Sequence, residues 1–228
     1  MLRRLLSTAL AAFISVCLAA PSSAAVILIT QAKANAGNVT PGDAAGYPVT
    51  ITRRGVYQFA DNLIASANKN GIEINAPDVT IDFAGFSLIG ESVALDGIVG
   101  SFPNVSIKGG TIRKFKEDGI DGTGSFWIIS DMRVVVNVAV GIKCAQSCLV
   151  RDSIVANNAI GISMGDGIAI GNVLSRNGGA GLQGNIGAAA AQNAFILNSN
   201  GATNGHVAGN TVKADPNLCR FTGDIGPC

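Results

Sequence analysis

A glycine followed by isoleucine or leucine recurs through most of this 228-residue chain. Successive copies are 26, 22, 22, 20 and 20 residues apart, and they are Gly71-Ile72, Gly97-Ile98, Gly119-Ile120, Gly141-Ile142, Gly161-Ile162 and Gly181-Leu182. A second apolar marker follows each of the first five glycines by 8 residues, at Val79, Val105, Trp127, Leu149 and Ala169. Repetition with a period of about 20 to 50 residues is typical of folds that stack similar units.

The residues inside each repeat have the pattern of short strands. Apolar residues alternate with others at 71–74, 79–83, 105–107, 127–129 and 161–164, which is the period of a strand and not of a helix. Asn, Asp and Gly separate these segments, and we expect Asn to form hydrogen-bonded ladders between stacked corners. Helical repeats are longer, and the frame of leucine-rich repeats is missing. The pattern predicts an all-β parallel β-helix of about seven coils, which covers residues 48–212.

Two local frames resemble a known group of proteins. Gly71-Ile-Glu-Ile74 and Asn104-Val-Ser-Ile107 resemble the repeat of the pectin-lyase-like superfamily of right-handed parallel β-helices. Residues 49–59 also resemble the first coil of exported bacterial β-helix proteins. The resemblance implies a right-handed coil over most of the chain, and it does not single out an activity, because one fold hosts many functions.

The ends of the chain differ from the repeat. Residues 1–24 combine Arg3 and Arg4, an uncharged run over 5–20 and small residues over 21–24, the layout of a secretory signal cleaved after Ala24. The alternative, an uncleaved membrane anchor, is disfavoured because the run is shorter than the ~20 residues that a spanning helix needs. We therefore predict export to the periplasm or the exterior. Residues 25–47 are interpreted as an N-terminal cap or flexible segment, and 213–228 as a C-terminal cap.

Four cysteines remain after the signal, in two close pairs. An even number of cysteines in an exported protein favours disulfides, and of the three connectivities we favour Cys144 with Cys148 and Cys219 with Cys228. A zinc site is the weaker alternative, because oxidising compartments favour bridges over thiolate ligands.

The charge of the predicted mature chain is close to balanced. Without Arg3 and Arg4, 14 basic residues stand against 15 acidic ones. No basic stripe is present, so we predict no nucleic-acid partner. No segment after the signal is long and apolar enough to span a membrane, so we predict no span in the mature chain.

Counting from each marker glycine predicts which side chains share a column on the outside of the coil. One column holds Glu73, Val99, Asp121, Lys143, Ser163 and Gln183. The positions just before the glycines add Asp96 and Asp118, so acidic residues meet on consecutive coils with Lys143 one coil above. The candidate catalytic residues are Asp96, Asp118, Asp121 and Lys143. Their carboxylates could act as acid and base on a sugar chain or bind Ca²⁺, and Lys143 could neutralise the carboxylate of a uronate. The alternative is an exposed Asp121–Lys143 pair worth at most about 1 kcal/mol.

Other polar and aromatic positions are weaker candidates. A second outward column, predicted as Asp82, Lys108, Ser130, Asp152 and Asn172, has mixed charges and is typical of solvated turns. Phe115, Phe126 and Trp127 could form an exposed patch, but large apolar side chains more often fill the core.

Catalytic motifs of the related enzymes are missing. Polygalacturonase-type hydrolases carry Gly-His-Gly and paired aspartates, whereas the single histidine stands in Gly-His206-Val and no Asp-Asp occurs. The Trp-Ile-Asp-His block of pectate lyases is replaced by Trp127-Ile-Ile-Ser130. We expect a noncatalytic exported protein, without a cofactor, that offers a surface to glycans or cell-envelope partners. The alternative is a small polysaccharide lyase or glycoside hydrolase that uses the four candidate residues, with calcium as its one conceivable cofactor.

Overall fold

The computed structural model describes residues 25–185, 187–199, 206–214, 217–220 and 225–227. The predicted signal peptide, residues 1–24, lies outside the described residues, as does Cys228. The described chain is an all-β parallel solenoid of about 7 turns, which confirms the predicted fold class. Each complete turn carries strands on three faces.

Face one is a parallel sheet of eight strands. In their order along the solenoid they are β2 (Val49–Ile51), β5 (Ile72–Ile74), β8 (Ile98–Gly100), β10 (Ile120–Ser125), β12 (Val140–Gln146), β15 (Ile160–Met164), β18 (Leu182–Gly184) and β21 (Val207–Gly209).

Faces two and three belong to one sheet of sixteen strands, because two long strands continue across the corner between them. These are β9 (Val105–Arg113) and β11 (Ile128–Val135). The other strands of face two are β3 (Gly55–Phe59), β6 (Val79–Asp82), β13 (Cys148–Arg151), β16 (Gly167–Ile170), β19 (Ala188–Ala191) and β22 (Val212–Lys213). Those of face three are β4 (Leu63–Ile64), β7 (Ser87–Ile89), β14 (Ile154–Ala156), β17 (Val173–Ser175), β20 (Ala194–Ile196) and β23 (Leu218–Arg220).

Separate elements cover the two ends of the sheet. Strand β1 (Val26–Ile29) pairs in parallel with β3, and the short helix α1 (Gln31–Ala36) follows it. Thr30 caps the helix by accepting a hydrogen bond from the Lys33 amide at 3.1 Å. At the other end, β24 (Ile225–Pro227) runs antiparallel to β23. An open parallel sheet exposes unpaired backbone groups, and these elements pair with the edges of face two and face three.

The marker glycines lie where successive coils approach most closely. The isoleucines after them pair in register along face one, Ile72 with Ile98, Ile98 with Ile120 and Ile120 with Ile142, as predicted. A Cβ atom at Gly71 would lie 2.6 Å from the carbonyl oxygen of Gly97 on the next coil. A side chain in this column would push the coils apart, so the repeat of the sequence is a steric requirement of the stack.

The second apolar marker follows one inward column only in its first three copies. Val79, Val105 and Trp127 share an inward column, but β11 pairs Ile128 with Leu149, and β13 pairs Cys148 with Gly167. Leu149 and Ala169 therefore do not belong to this column. Counting a constant distance from the glycine fails there because the corner between face one and face two shortens in the later coils.

Buried asparagines form two ladders at the corners, as expected for this repeat. One ladder, between face three and face one, consists of Asn137, Asn158, Asn177 and Asn198, and the other, between face two and face three, of Asn172, Asn193 and Asn217. Asn177 shows the pattern: its Nδ2 donates to Asn198 Oδ1 at 2.9 Å and to the Val155 carbonyl at 3.1 Å. The ladders satisfy backbone groups that no strand partner reaches, which would otherwise be buried without hydrogen bonds.

Replacement of Gly119 by alanine should destabilise the stack. The added Cβ would lie 2.5 Å from both the Gly141 carbonyl oxygen and Val134 Cγ1, and overpacking of this kind costs about 2 kcal/mol. Gly178→Ala is the matched control, because its Cβ would meet nothing closer than 3.7 Å. Equilibrium unfolding in urea should give a lower midpoint for Gly119→Ala alone; equal midpoints would refute the steric basis of the repeat.

Replacement of Asn177 by aspartate should remove both Nδ2 hydrogen bonds and bury a charge. We expect a loss of at least about 3 kcal/mol in the free energy of unfolding. The same change at the exposed neighbour Asn157 should alter stability by less than about 0.5 kcal/mol. Guanidinium unfolding of the two variants measures the difference, and a small effect at Asn177 would show that the ladder is dispensable.

Candidate functional site

The predicted outward column is present on face one. The strand register places Glu73 beside Val99, Val99 beside Asp121, and Asp121 beside Lys143. It continues from Lys143 to Ser163 and Gln183. Because parallel strands stack in register, these side chains form one row along the solenoid axis.

Two adjoining polar depressions lie along this row, each with a volume of about 250 Å³. The polar side chains of the first are Glu73, Asn75, Ser101, Asp121 and Thr123. Those of the second are Thr123, Lys143, Ser163, Gln183 and Asn185. Thr123 lines both, so we treat the two depressions as one elongated site and call it the face-one groove.

Lys143 stands at the centre of the groove and is held by acidic residues. Its Nζ lies 3.2 Å from Asp121 Oδ2 and 3.8 Å from Asp118 Oδ2. Burial lowers the pKa of Lys143, but the hydrogen bond to Asp121 and the charges of Asp121, Asp118 and Asp96 outweigh it, so the pKa is raised. The ammonium group is thus protonated, and the two aspartates already neutralise its charge. It is therefore poorly suited to neutralise the carboxylate of a uronate.

Asp96 and Asp118 act as steps of a further ladder beside the groove. Asp96 Oδ1 accepts the amide hydrogen of Asp118 at 2.7 Å, and Asp118 Oδ1 accepts that of Val140 at 2.8 Å. Asn70 does the same for the Asp96 amide, at 3.3 Å. Each of these side chains therefore supports the coil above it, as the asparagines of the corner ladders do.

Burial makes both of these aspartates harder to ionise than they are in water. It raises the pKa of Asp96 to about 6; the hydrogen bond from the Asp118 amide opposes the shift and the neighbouring carboxylates add to it. Burial also raises the pKa of Asp118, against the Val140 hydrogen bond and the charge of Lys143. The ladder beside the groove thus carries carboxylates at a cost in stability that asparagines would avoid.

The structure brings the side chains of Asp118, Asp121 and Lys143 together. Asp96 lies one coil below Asp118 and contacts its backbone amide, without an ion pair to Lys143 among the described residues. Among the described residues, no group of three or more His, Cys, Asp or Glu side chains is arranged to hold a metal ion. Asp121 Oδ1 is shielded from solvent and has no hydrogen-bond partner within the described part of the chain. A buried acceptor without a partner is unfavourable for folding.

The second outward column differs from its prediction. Asp82 and Lys108 form an ion pair at 3.3 Å and Ser130 follows, but the next residue in register is Arg151. The prediction of Asp152 and Asn172 there is wrong, again because the corners shorten. Asp152 occupies a corner at φ 53°, and Asn172 is a buried step of a ladder.

His206 and the described cysteines are buried. His206 is only 2% exposed. Its burial lowers its pKa, and its Nδ1 lies 3.2 Å from Asn198 Nδ2. Cys144 and Cys148 form the predicted disulfide across the corner between β12 and β13. The predicted pair of Cys219 with Cys228 involves a residue outside the described ones.

The three aromatic candidates separate. Phe115 and Trp127 are fully buried, whereas Phe126 is 59% exposed. Gly122 leaves space for the Trp127 ring, since a Cβ there would lie 2.6 Å from Trp127 Cε3. Alternation along a strand does not reveal that Phe126 points outward, because it occupies a corner with a left-handed backbone at φ 61°.

No known protein family, curated protein or solved structure matches this chain. Over the described residues, no helix combines the length and apolar character needed to cross a membrane.

Asp96→Asn should stabilise the protein at neutral pH and leave it unchanged in acid. The folded-state pKa of about 6 exceeds the ordinary 3.8, so the native state is favoured while the carboxyl is protonated and loses stability as pH rises from about 4 through about 6. The amide keeps the acceptor for the Asp118 amide without the charge. Allowing for partial exposure, we expect a gain of about 1–2 kcal/mol at pH 8 and none below about pH 4.

Urea unfolding of the wild type and Asp96→Asn across this pH range measures the effect. The exposed Asp131→Asn serves as control, since asparagine also tolerates the left-handed backbone there. A constant difference between Asp96→Asn and the wild type at all pH values would contradict the burial of an ionising Asp96.

Proposed function

We propose that this protein is an exported, noncatalytic member of the pectin-lyase-like superfamily that binds a glycan along the face-one groove. The observation that carries the proposal is one register column from Glu73 to Gln183, polar at every position except Val99, along two adjoining depressions. A site that is elongated along the solenoid axis suits an extended polymer better than a compact small molecule.

The chemistry of the lining supports a sugar ligand. Neutral hydrogen-bonding groups, among them Ser101, Thr123 and Ser163, lie among charged ones in the groove lining, and neighbouring strands are about 4.8 Å apart. Sugar hydroxyls both donate and accept hydrogen bonds, so they can pair with this mixed lining.

The contacts of the candidate catalytic residues favour binding over the lyase or hydrolase alternative. A general acid or base must exchange its proton with the substrate. Oδ1 of Asp96 and of Asp118 instead accepts a backbone amide hydrogen, and Lys143 is paired with two carboxylates. These residues serve the scaffold and the electrostatics of the groove.

Two features support export to the periplasm or the exterior, where polysaccharide and cell-envelope partners are found. The first is the N-terminal pattern of a secretory signal. The second is the Cys144–Cys148 disulfide, a bond that persists in oxidising compartments.

Glycan binding by the chain without residues 1–24 tests the proposal. Affinity electrophoresis against neutral and acidic polysaccharides identifies a ligand, and calorimetry on its oligosaccharides measures affinity. Thr123→Val combined with Ser163→Ala should weaken binding about tenfold, because two hydrogen bonds are lost. Thr111→Val combined with Ser175→Ala makes the same changes on face three and should leave affinity unchanged.

Failure of every glycan to bind, or equal affinity in the two double variants, would refute the groove as the binding site. The enzymatic alternative is tested in the same samples, with and without calcium, by product release from acidic polysaccharides. Release that disappears in Asp118→Ala or Asp121→Ala would overturn the noncatalytic assignment.

A further inference from the structure

A further depression, distinct from the two that form the face-one groove, lies at the corner where face one passes into face two. It has a volume of about 380 Å³ and is separate from the face-one groove. Its apolar part consists of Val105, Phe126, Ile128 and Leu149. Phe126 and Ile128 are 59% and 42% exposed. Its polar rim consists of Asn104, Ser106 and Ser147. We call it the Phe126 depression.

Folding alone does not account for an aromatic residue at this corner. The equivalent corners of neighbouring coils hold Asp78, Asn104 and Ser147, with φ values of 57°, 59° and 50°, and small polar residues tolerate this left-handed backbone better than a bulky one. The Phe126 amide donates to the Gln146 carbonyl at 3.2 Å, so the ladder between coils holds the corner. The ring itself points outward and contributes little to the core.

The lining of the Phe126 depression is free of charge. No acidic or basic side chain lines it, so a charged ligand would lose hydration there without gaining a counter-ion. Within the described residues, the hydroxyls of Ser106 and Ser147 make no hydrogen bond. Asn104 Nδ2 donates to Asp78 Oδ1 at 3.0 Å, so the side-chain oxygen of Asn104 is left to accept a hydrogen bond from a ligand. Neutral donors and acceptors thus surround an aromatic plane.

A sugar ring has the complementary chemistry. One face of a pyranose presents C–H groups that pack on an aromatic ring, and its edge presents hydroxyls that need neutral donors and acceptors. A purely apolar occupant, such as a lipid chain, would cover the two serine hydroxyls and the asparagine carbonyl without pairing them, which is unfavourable.

We propose that the Phe126 depression is a second carbohydrate site, which binds an uncharged sugar ring stacked on Phe126. It differs from the face-one groove in lacking charge and in lying on the other side of the corner. The proposal goes beyond glycan binding in the groove and stands without it, because it uses different residues and a different class of sugar.

Calorimetry with cellohexaose, xylohexaose and mannohexaose as uncharged probes, and with trigalacturonate as a charged one, tests the proposal. We expect at least one uncharged probe to bind the wild type, and its affinity to fall at least about tenfold in Phe126→Ala. Phe126→Tyr should restore most of the affinity. Val136→Ala is the matched control, since Val136 is also exposed at a left-handed corner, at φ 60°, but lines no part of the depression.

Three results distinguish the two carbohydrate sites from each other and from a dimer interface. An uncharged probe that binds the wild type and Thr123→Val/Ser163→Ala equally, but not Phe126→Ala, locates the site at the depression. Equal affinity in Phe126→Ala and the wild type, or no binding by any uncharged probe, overturns the proposal. So does a dimer in sedimentation velocity that Phe126→Ala converts to a monomer without any effect of sugar, because the depression would then be an interface between two copies. Urea unfolding confirms that each variant is folded.

Discussion

The hydrogen-bonded contact between successive coils is the constraint on which the rest of this structure depends. Coils stack at about the spacing of neighbouring strands, and at the marker glycines this leaves no space for a Cβ atom: one at Gly71 would lie 2.6 Å from the Gly97 carbonyl oxygen. Since the backbone register is held at that column, the residue after each glycine points inward on every coil. The isoleucine column and the row of outward side chains beside it both follow.

The corners pose the second problem, because a coil that turns must bury backbone groups that no strand partner reaches. The Asn ladders solve it without charge, through bonds such as that from Asn177 Nδ2 to Asn198 Oδ1 at 2.9 Å. Asp96 and Asp118 occupy equivalent supporting positions beside the face-one groove, where burial raises the pKa of both. Carboxylates kept where asparagine would be more stable fit the electrostatics of a binding surface better than the needs of folding.

The two proposed sites use the same scaffold in different ways. The face-one groove is charged, runs along the axis and draws its side chains from consecutive strands. The Phe126 depression is uncharged, local and built at a corner. A polymer bound along the groove and a ring stacked on Phe126 would occupy separate depressions, which share no lining residue.

The sequence alone determined the parallel coil, the inward isoleucine column and the neighbours Asp121 and Lys143, because each depends on a spacing that the repeat preserves. It also favoured the Cys144–Cys148 bridge, because the two cysteines are only four residues apart. Only the tertiary structure decided what depends on the length and backbone of each corner. Asp152 and Asn172 were misplaced because the corners become shorter in later coils, although the spacing of the glycines stays nearly regular. Leu149 and Ala169 leave the column of Val79 for the same reason. Phe126 points outward beside the buried Trp127 because a left-handed residue interrupts the alternation of a strand. The hydrogen bonds of Asp96 and Asp118 join different coils, so only the stacked structure shows them.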